Sequence, residues 1–222
     1  MNAVQHGTWL PADAELEQYG EFLLSGEITP ESAVKLSQGL LRFAYANRGA
    51  VPRPPVVLTL FSVGGSLDGG FHIAATLMRI REMGFEIHTR IQGGVYSTAF
   101  LIAQFGTHRQ MDSSAMAHIH TIQFTADKQA ETLLFEDQAD RVAKRKQIMA
   151  ETLARRNTLG EPYNKPGYWI EHFMQGREHH FTAWQCLNMG LVDEVVGDID
   201  LLNPQPLVNV ASLELVEEHS AA

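Results

Sequence analysis

Residues Val56 to Ser66 read Val-Val-Leu-Thr-Leu-Phe-Ser-Val-Gly-Gly-Ser, an apolar run that ends in a glycine pair. A continuous run of this kind is typical of a β-strand that is covered on both faces, as in a parallel sheet. Gly64 and Gly65 predict a turn, because glycine adopts backbone conformations that other residues avoid. The stretch therefore predicts a buried parallel strand with a glycine turn at its carboxyl end.

The same order of strand, glycine turn and helix occurs again further along the chain. A helix is predicted from about Gly69 to Met83, and a strand at Glu86 to Ile91 leads to the second glycine pair, Gly93-Gly94. A helix from about Ser97 to Phe105 follows. In parallel sheets, ligands bind at the carboxyl ends of strands, where glycine turns let backbone amides approach them. Both glycine pairs are predicted to lie at such an edge.

Further strands and helices flank this repeated unit. The sequence predicts a strand at Glu21 to Ser25 and an amphipathic helix from Pro30 to about Arg48. It predicts another strand at Met111 to His118 and a long charged helix at Ala126 to Arg156. Strands that alternate with helices predict an α/β protein with a mainly parallel sheet.

Composition and charge narrow the classes of function. With 222 residues, 45% of them hydrophobic, the chain can bury one sizeable core. A formal net charge of −9 argues against nucleic acid and anionic membranes as partners. The single cysteine, Cys186, excludes an internal disulfide and a thiolate zinc site. Met1 to Leu10 lack a secretory signal and the apolar runs are too short to cross a bilayer, so we expect a cytoplasmic protein.

Ser97 is the first candidate for covalent chemistry, because it follows a glycine turn and begins an apolar helix. A serine hydroxyl is a weak nucleophile unless a base removes its proton. His118 ends the next predicted strand, so neighbouring strand ends can bring the two side chains together. His120 would share the face of His118 if that strand continued. The sequence therefore predicts a serine nucleophile with a histidine base.

Backbone amides near Ser97 are candidates for an oxyanion hole. A tetrahedral intermediate needs donors directed at its developing negative charge, and the amides of Gly65 and Thr98 are placed to supply them. A carboxylate normally orients the histidine of a serine triad. Spacing alone does not select that carboxylate from the 26 acidic residues.

Each of these residues also has a simpler interpretation. Taken alone, Ser97 is typical of a helix N-cap and His118 of a hydrogen-bonded core or surface residue. Histidines 172, 179 and 180 together with Glu178 suggest a metal site, but they lack an i, i+4 histidine pair with a glutamate between. No metal or other cofactor is therefore predicted.

The order and spacing of these segments resemble the Clp protease proteolytic subunit family over most of the chain, from about Phe22 to Val196. The residues from Phe22 to Ile28 look like the first core strand and turn of that family. The residues from Val56 to Ser66 are similar to its strand leading into a Ser-Pro-Gly-Gly-Ser turn, with Val63 in place of the proline.

The resemblance extends to the predicted nucleophile and base. The segment Gly93 to Thr98 corresponds to the family's Gly-x-Ala-Ala-Ser-Met, which places the family's nucleophile on Ser97. The segment Ser113 to His118 matches its Ser-x-x-Met-Ile-His, which favours His118 over His120 as the base.

The carboxylate that the resemblance implies is Glu178. The stretch Phe181 to Asp193 is similar to a stretch of the family that begins Phe-Leu-Ser-Ala and ends Gly-Leu-Ile-Asp, and counting back from Thr182 leads to Glu178. The family normally has aspartate there. Tyr96 and Thr98 also depart from the family's alanine and methionine, and Tyr96 is expected to narrow the substrate groove.

The resemblance implies a ClpP-like, crotonase-like α/β fold, in which a β-β-α superhelix carries a projecting handle helix at residues 126–156. It implies a peptidase domain at residues 21–199, between an N-terminal segment, 1–20, and a C-terminal tail, 200–222. Subunits of the family form heptameric rings that stack in pairs, and an AAA+ unfoldase feeds polypeptides to the enclosed chamber. The stretch from Ile119 to Asp127 contains no glycine, unlike the family's handle strand, which bears on ring stacking.

The function implied is that of a serine endopeptidase whose reaction uses no metal and no nucleotide. Two alternatives remain open on the same fold. One is a viral head-maturation peptidase that cleaves scaffold proteins, and the other is a catalytically silent ring subunit that assembles with an active relative. An acyl-CoA enzyme of the wider fold family is a more distant alternative, because the pairing of serine and histidine would have no purpose in it.

Overall fold

The fold is a seven-stranded sheet with helices packed on it, seen in a computed structural model that describes residues 12–120, 132–174 and 178–197. The predicted mixed α/β fold is confirmed. The strands are β1 Glu21–Ile28, β2 Val56–Gly65, β3 Ile87–Tyr96, β4 His108–Asp112, β5 Met116–His120, β6 Glu178–Thr182 and β7 Glu194–Val196. The helices are α1 Ala12–Glu17, α2 Pro30–Ala46, α3 Leu67–Glu82, α4 Thr98–Ala103, α5 Thr132–Arg156, α6 Pro166–Phe173 and α7 Ala183–Asn188.

Most neighbouring strands of the sheet are parallel. Its main path runs β1-β2-β3-β4-β7, while β5 pairs with β3 and with β6. Only the β5–β6 pair is antiparallel within the described ranges. The parallel order follows from the helices that connect successive strands, because such crossovers return the chain to the same edge of the sheet.

Strand β3 changes its neighbour halfway along, and this change positions the candidate site. Residues 88–91 pair with β4, whereas residues 94–96 pair with β5. Its register with β2 also shifts, between Leu60 and Ser62. Gly93 lies opposite this shift with φ +69°, a backbone conformation that glycine adopts without strain. The second glycine pair therefore bends a strand instead of ending it.

Three sequence-based expectations about the strands are wrong in detail. Gly64 and Gly65 belong to β2 and do not form a separate turn. The predicted strand from Met111 to His118 is two strands, because the turn-forming pair Ser113-Ser114 interrupts it. The apolar run of β2 is not covered on both faces, since its buried residues alternate with more exposed ones and Phe61 and Val63 are 58% and 63% exposed.

The helices bury one continuous core against the sheet. Helix α2 begins as predicted, with Thr29 as N-cap accepting a hydrogen bond from the Ser32 amide and Pro30 in the first turn. Trp169 of α6 is fully buried and its indole NH donates to the Tyr163 carbonyl over 2.7 Å. The start of the predicted long helix, residues 126–131, lies outside the described residues. None of the described helices combines the length and the apolar character that crossing a membrane requires.

An ion pair between the buried Arg109 and the partly exposed Asp193 ties β4 to the chain just before β7. The Arg109 side chain is 1% exposed, and its Nε and Nη2 donate to both carboxylate oxygens of Asp193 over 3.0 and 2.6 Å. The Arg109 amide also donates to Asp193, and Nη1 donates to Gln104 Oε1. Burial opposes ionisation of Asp193, but the Arg109 hydrogen bonds and charge outweigh it and lower the pKa of this carboxyl.

We expect Asp193→Asn to lower the free energy of unfolding by about 3–5 kcal/mol, because it leaves the buried Arg109 charge without its counterion. The matched control is Glu194→Gln, which alters an exposed pair with His108 and should cost less than about 1 kcal/mol. Denaturant unfolding of the two variants and the wild type measures both values. Equal stabilities of the two variants would contradict the structural role of the Asp193 pair.

The pair of Arg109 and Asp193 also makes the stability of the fold depend on pH. The pKa of Asp193 is lower in the folded chain than its ordinary value, so its contribution is complete above about pH 3.9 and is lost as the pH falls through the lower folded pKa. The stability difference between wild type and Asp193→Asn should therefore shrink as the pH falls through this acidic range.

Candidate active site

Ser97 lies in a strained backbone conformation at the junction of β3 and α4. Its φ of 54° and ψ of −122° make it the one non-glycine residue with positive φ in the described ranges. Such conformations cost about 1–3 kcal/mol and are retained where the surrounding structure enforces them. Ser97 occupies the N-cap position of α4, but its side chain makes no capping hydrogen bond. The N-cap interpretation therefore does not account for this serine.

Two neighbouring strands enforce the conformation of Ser97. Its amide donates to the His118 carbonyl over 2.9 Å, which continues the β3–β5 pairing past the end of β3. On the other side, the end of β2 runs so close that a Cβ atom on Gly64 would lie 2.6 Å from the Tyr96 carbonyl oxygen and 3.1 Å from Ser97 Cβ. Only glycine fits at position 64 without displacing the serine turn.

The two residues predicted to form the oxyanion hole are in contact. The Thr98 hydroxyl donates to the Gly65 carbonyl oxygen over 3.2 Å, and Thr98 is 2% exposed. A Cβ on Gly64 would also lie 3.3 Å from the Thr98 nitrogen, so the glycine pair passes directly beside this amide. The structure thus places Gly65 and Thr98 next to Ser97, and the role of their amides stays a prediction.

His118 lies in a row of three aromatic side chains that crosses three adjacent strands. In the strand register it is opposite Tyr96 of β3 and opposite His180 of β6. The Tyr96 ring stands edge-on to the His118 ring at 5.5 Å between centroids, and the His180 ring stacks on it at 4.2 Å with 2° between the planes. These contacts, together with an exposure of 8%, hold the imidazole in place, and the backbone carbonyl of the same residue accepts from the Ser97 amide.

Glu178 lies near His118 without being hydrogen-bonded to it. The shortest separation joins Glu178 Oε2 to His118 Nε2 and measures 3.9 Å, which is beyond hydrogen-bonding distance. Glu178 is opposite His120 in the β5–β6 register, so it approaches His118 diagonally, and its side chain is 63% exposed. In a serine triad the carboxylate pairs with the other nitrogen, Nδ1. The structure therefore brings the carboxylate close but does not assemble the triad.

His180 is the residue of this site that the sequence reasoning missed. The sequence groups His180 only with a discounted metal cluster, whereas the structure places His179 and His180 in β6. A strand at this position would have revealed the arrangement, because residues 178 and 180 then project from the same face. His172, which the sequence grouped with them, lies elsewhere, with its ring stacked on Tyr168 at 4.5 Å.

An apolar pocket adjoins the nucleophile. It is lined by Ser97 together with five apolar residues: Phe100, Leu101, Ile119, Met149 and Leu153. Helix α5 contributes the last two, so the long helix forms one wall of the pocket. On this helix Met149 and Leu153 are buried, whereas Ile148 is 48% exposed.

The single cysteine does not compete with Ser97 as a nucleophile. Cys186 of α7 is fully buried, and burial raises the pKa of its thiol to about 12. Since the thiolate is the reactive form, this thiol stays protonated and inert at neutral pH.

The family model described as Clp protease matches residues 8–198, a range that contains every described strand and every candidate site residue. The chain belongs to the Clp protease family. The resemblance stated from the residues is thereby confirmed, and a Clp-type peptidase is the class of function that the family supports. A comparison with curated proteins finds no match. In this Clp protease family member, Ser97 and the residues around it lie within the range that the family model matches.

We expect Gly64→Ala to destabilise this family member more than Gly26→Ala does. Both glycines have positive φ, +84° and +72°, so both variants bear a backbone cost of about 1–2 kcal/mol. Only Gly64 is crowded, since a Cβ on Gly26 meets no atom within 4 Å. The clash with the Tyr96 carbonyl should add about 1–3 kcal/mol, measurable by denaturant unfolding. Equal losses would show that the serine turn is not under this steric constraint.

Proposed function

We propose that the protein is a serine endopeptidase that hydrolyses unfolded polypeptides inside a ring-shaped homo-oligomer. The observation that carries the proposal is the left-handed Ser97, held by the His118 carbonyl in a chain of the Clp protease family. A strained serine between a strand and a helix exposes its hydroxyl at the edge of the sheet, as in other hydrolases with a nucleophile elbow. The ring and an AAA+ unfoldase partner in the cytoplasm are parts of the same proposal.

The reaction follows from the roles of the neighbouring groups. The Ser97 hydroxyl attacks the peptide carbonyl while His118 takes its proton, and the amides of Gly65 and Thr98 donate to the oxyanion. His118 then passes the proton to the leaving amine as the C–N bond breaks, which leaves an acyl-enzyme. Water, deprotonated by His118, attacks this ester and releases the second peptide.

Glu178 completes this mechanism only after its carboxylate moves from the Nε2 side of the His118 ring to the Nδ1 side, or after the ring turns over. The exposed side chain has the rotational freedom to approach the imidazole, and catalytic hydrogen bonds are often long in the absence of substrate. A carboxylate hydrogen-bonded to the ring stabilises the imidazolium that forms during attack. Glu178 therefore acts as the orienting group, with a smaller effect than a buried aspartate would have.

The apolar pocket beside Ser97 is nearly closed in this structure, and if its lining opens on substrate binding it would select the side chain that precedes the cleaved bond. Ser97 forms part of its wall, and the other five lining residues named above are all apolar. A hydrophobic side chain gains about 25 cal/mol for each Å² that it buries there, while a charged side chain would lose hydration without a partner. The peptidase should therefore prefer substrates with apolar residues at this position.

A catalytically silent ring subunit is the second candidate function. The separation of 3.9 Å between His118 and Glu178 favours it, because an unassembled triad is expected of a subunit that does not react. The Tyr96 ring, packed against His118, also occupies space that alanine leaves open in the family's motif. The two candidates differ in whether the Ser97 hydroxyl reacts with an electrophile.

A fluorophosphonate probe, which labels activated serines covalently, tests this difference. We expect the wild-type protein to be labelled and Ser97→Ala to lose all labelling, because the probe requires the activated hydroxyl. The matched control is Ser114→Ala, which removes an exposed serine from the turn between β4 and β5 and should leave labelling intact. Intact-mass measurement of each protein detects the adduct.

The assembly state of the same samples must be measured by light scattering. A folded, assembled wild-type sample that takes up no probe would overturn the peptidase proposal in favour of the silent subunit. A wild-type sample that is labelled yet remains monomeric at micromolar concentration would overturn the ring.

For Glu178→Ala, we expect kcat to fall about 10- to 100-fold with little change in KM, because the orienting carboxylate acts in the transition state. A buried triad aspartate contributes about 10⁴-fold, and the 63% exposure of Glu178 predicts less. Steady-state hydrolysis of a fluorogenic peptide gives both constants. The control is Glu171→Ala, which removes an exposed carboxylate from α6. Equal activities of the two variants would exclude Glu178 from the mechanism.

A further inference from the structure

The three side chains His118, Glu178 and His180 converge at one point between β5 and β6. One ligand atom from each, an imidazole nitrogen or a carboxylate oxygen, lies within 4.8 Å of the other two. Among the described residues, no other group of three histidine, cysteine or acidic side chains converges in this way. Two imidazoles and a carboxylate are a donor set that binds Zn²⁺ and leaves a fourth position open.

The antiparallel register of β5 and β6 produces this convergence. His118 and His180 are directly opposite each other, and Glu178 lies two residues before His180 on the same face of β6. His179 belongs to the opposite face, where its ring meets the Phe173 ring at 4.9 Å. The missing i, i+4 histidine pair excludes only a helical metal motif, and it says nothing against ligands supplied by paired strands.

The side chains can reach the geometry of a metal site by rotation, provided that the His180 ring leaves its stacked position on His118, because the lone pairs of parallel rings do not meet at one ion. Tetrahedral zinc, with bonds of about 2.0–2.1 Å, places its ligand atoms roughly 3.3 Å apart, so the longest separation must close by about 1.5 Å. His180 and Glu178 are exposed and have room to rotate, whereas the Tyr96 contact fixes His118. No strand has to move, because all three residues already share one face.

We propose that His118, Glu178 and His180 form a binding site for a divalent transition-metal ion of the zinc type, and that its occupancy blocks the peptidase. A metal bound to the His118 imidazole takes the lone pair that would accept the Ser97 proton. It also draws Glu178 away from its orienting role. The ion therefore acts as a reversible inhibitor, and this inhibitory part rests on the proposed serine peptidase function, whereas the binding site does not.

The binding site is tested by titrating the protein with Zn²⁺ against a chromogenic chelator and with Co²⁺, whose visible absorption reports tetrahedral coordination. We expect one ion per chain in the wild type and at least about a tenfold weaker affinity in His180→Gln. The matched control is His179→Gln, which changes the adjacent histidine on the opposite face and should bind as the wild type does. An excess of Mg²⁺ should not compete, because this ion prefers oxygen ligands.

Inhibition is tested on the same proteins with a fluorogenic peptide. The ratio of activity with and without saturating Zn²⁺ should fall at least about tenfold in the wild type and in His179→Gln. It should return to its starting value after EDTA is added, and at the same Zn²⁺ concentration His180→Gln should be inhibited much less. Comparing ratios within each variant removes any effect of the substitution on the reaction itself.

The outcomes separate this inference from the proposed function. Ser97→Ala retains all three ligands, so it should still bind Zn²⁺ even if no form of the protein hydrolyses peptides. Absence of stoichiometric binding, or equal binding by the wild type and a folded His180→Gln variant, overturns the metal site. Binding without inhibition of an active enzyme overturns the regulatory part.

Discussion

The close approach of the end of β2 to the turn after β3 is the constraint on which the site depends. Gly64 packs against the carbonyl of Tyr96 and the Cβ of Ser97, so the serine turn has no room to relax. The hydrogen bond from the Ser97 amide to His118 holds the other side of the turn. Between these contacts Ser97 takes a positive φ, and its side chain makes no capping hydrogen bond to helix α4.

The two halves of β3 pair with different strands, one with a structural charge pair and one with the candidate base. The first half of β3 pairs with β4, which carries the buried Arg109 and its hydrogen bonds to Asp193. The second half pairs with β5, which carries His118. The charge pair stabilises one neighbour of β3, while the other neighbour carries the candidate base. Changes on β4 and on β5 therefore act on different properties of the protein.

The antiparallel strand β6 gives the candidate base two possible partners. It places Glu178 within reach of His118 and stacks His180 directly upon the same ring. An orienting carboxylate supports proton transfer, whereas two imidazoles with a carboxylate favour a metal ion. Since Glu178 is exposed and lies beyond hydrogen-bonding distance of His118, the proposed orienting role and the proposed metal site would compete for the same side chain.

The sequence by itself determined the class of the fold and the candidate nucleophile and base, because apolar runs and short motifs act locally, but it mistook both glycine pairs for turns at strand ends. It missed the break at Ser113-Ser114, where a short turn interrupts an otherwise strand-like pattern, and it misjudged His180. Only the tertiary structure decided that His180 stacks on His118 and that Glu178 stops 3.9 Å short of it. Both contacts depend on the register between β5 and β6, which are far apart in sequence, and a local sequence pattern does not determine how two such strands align.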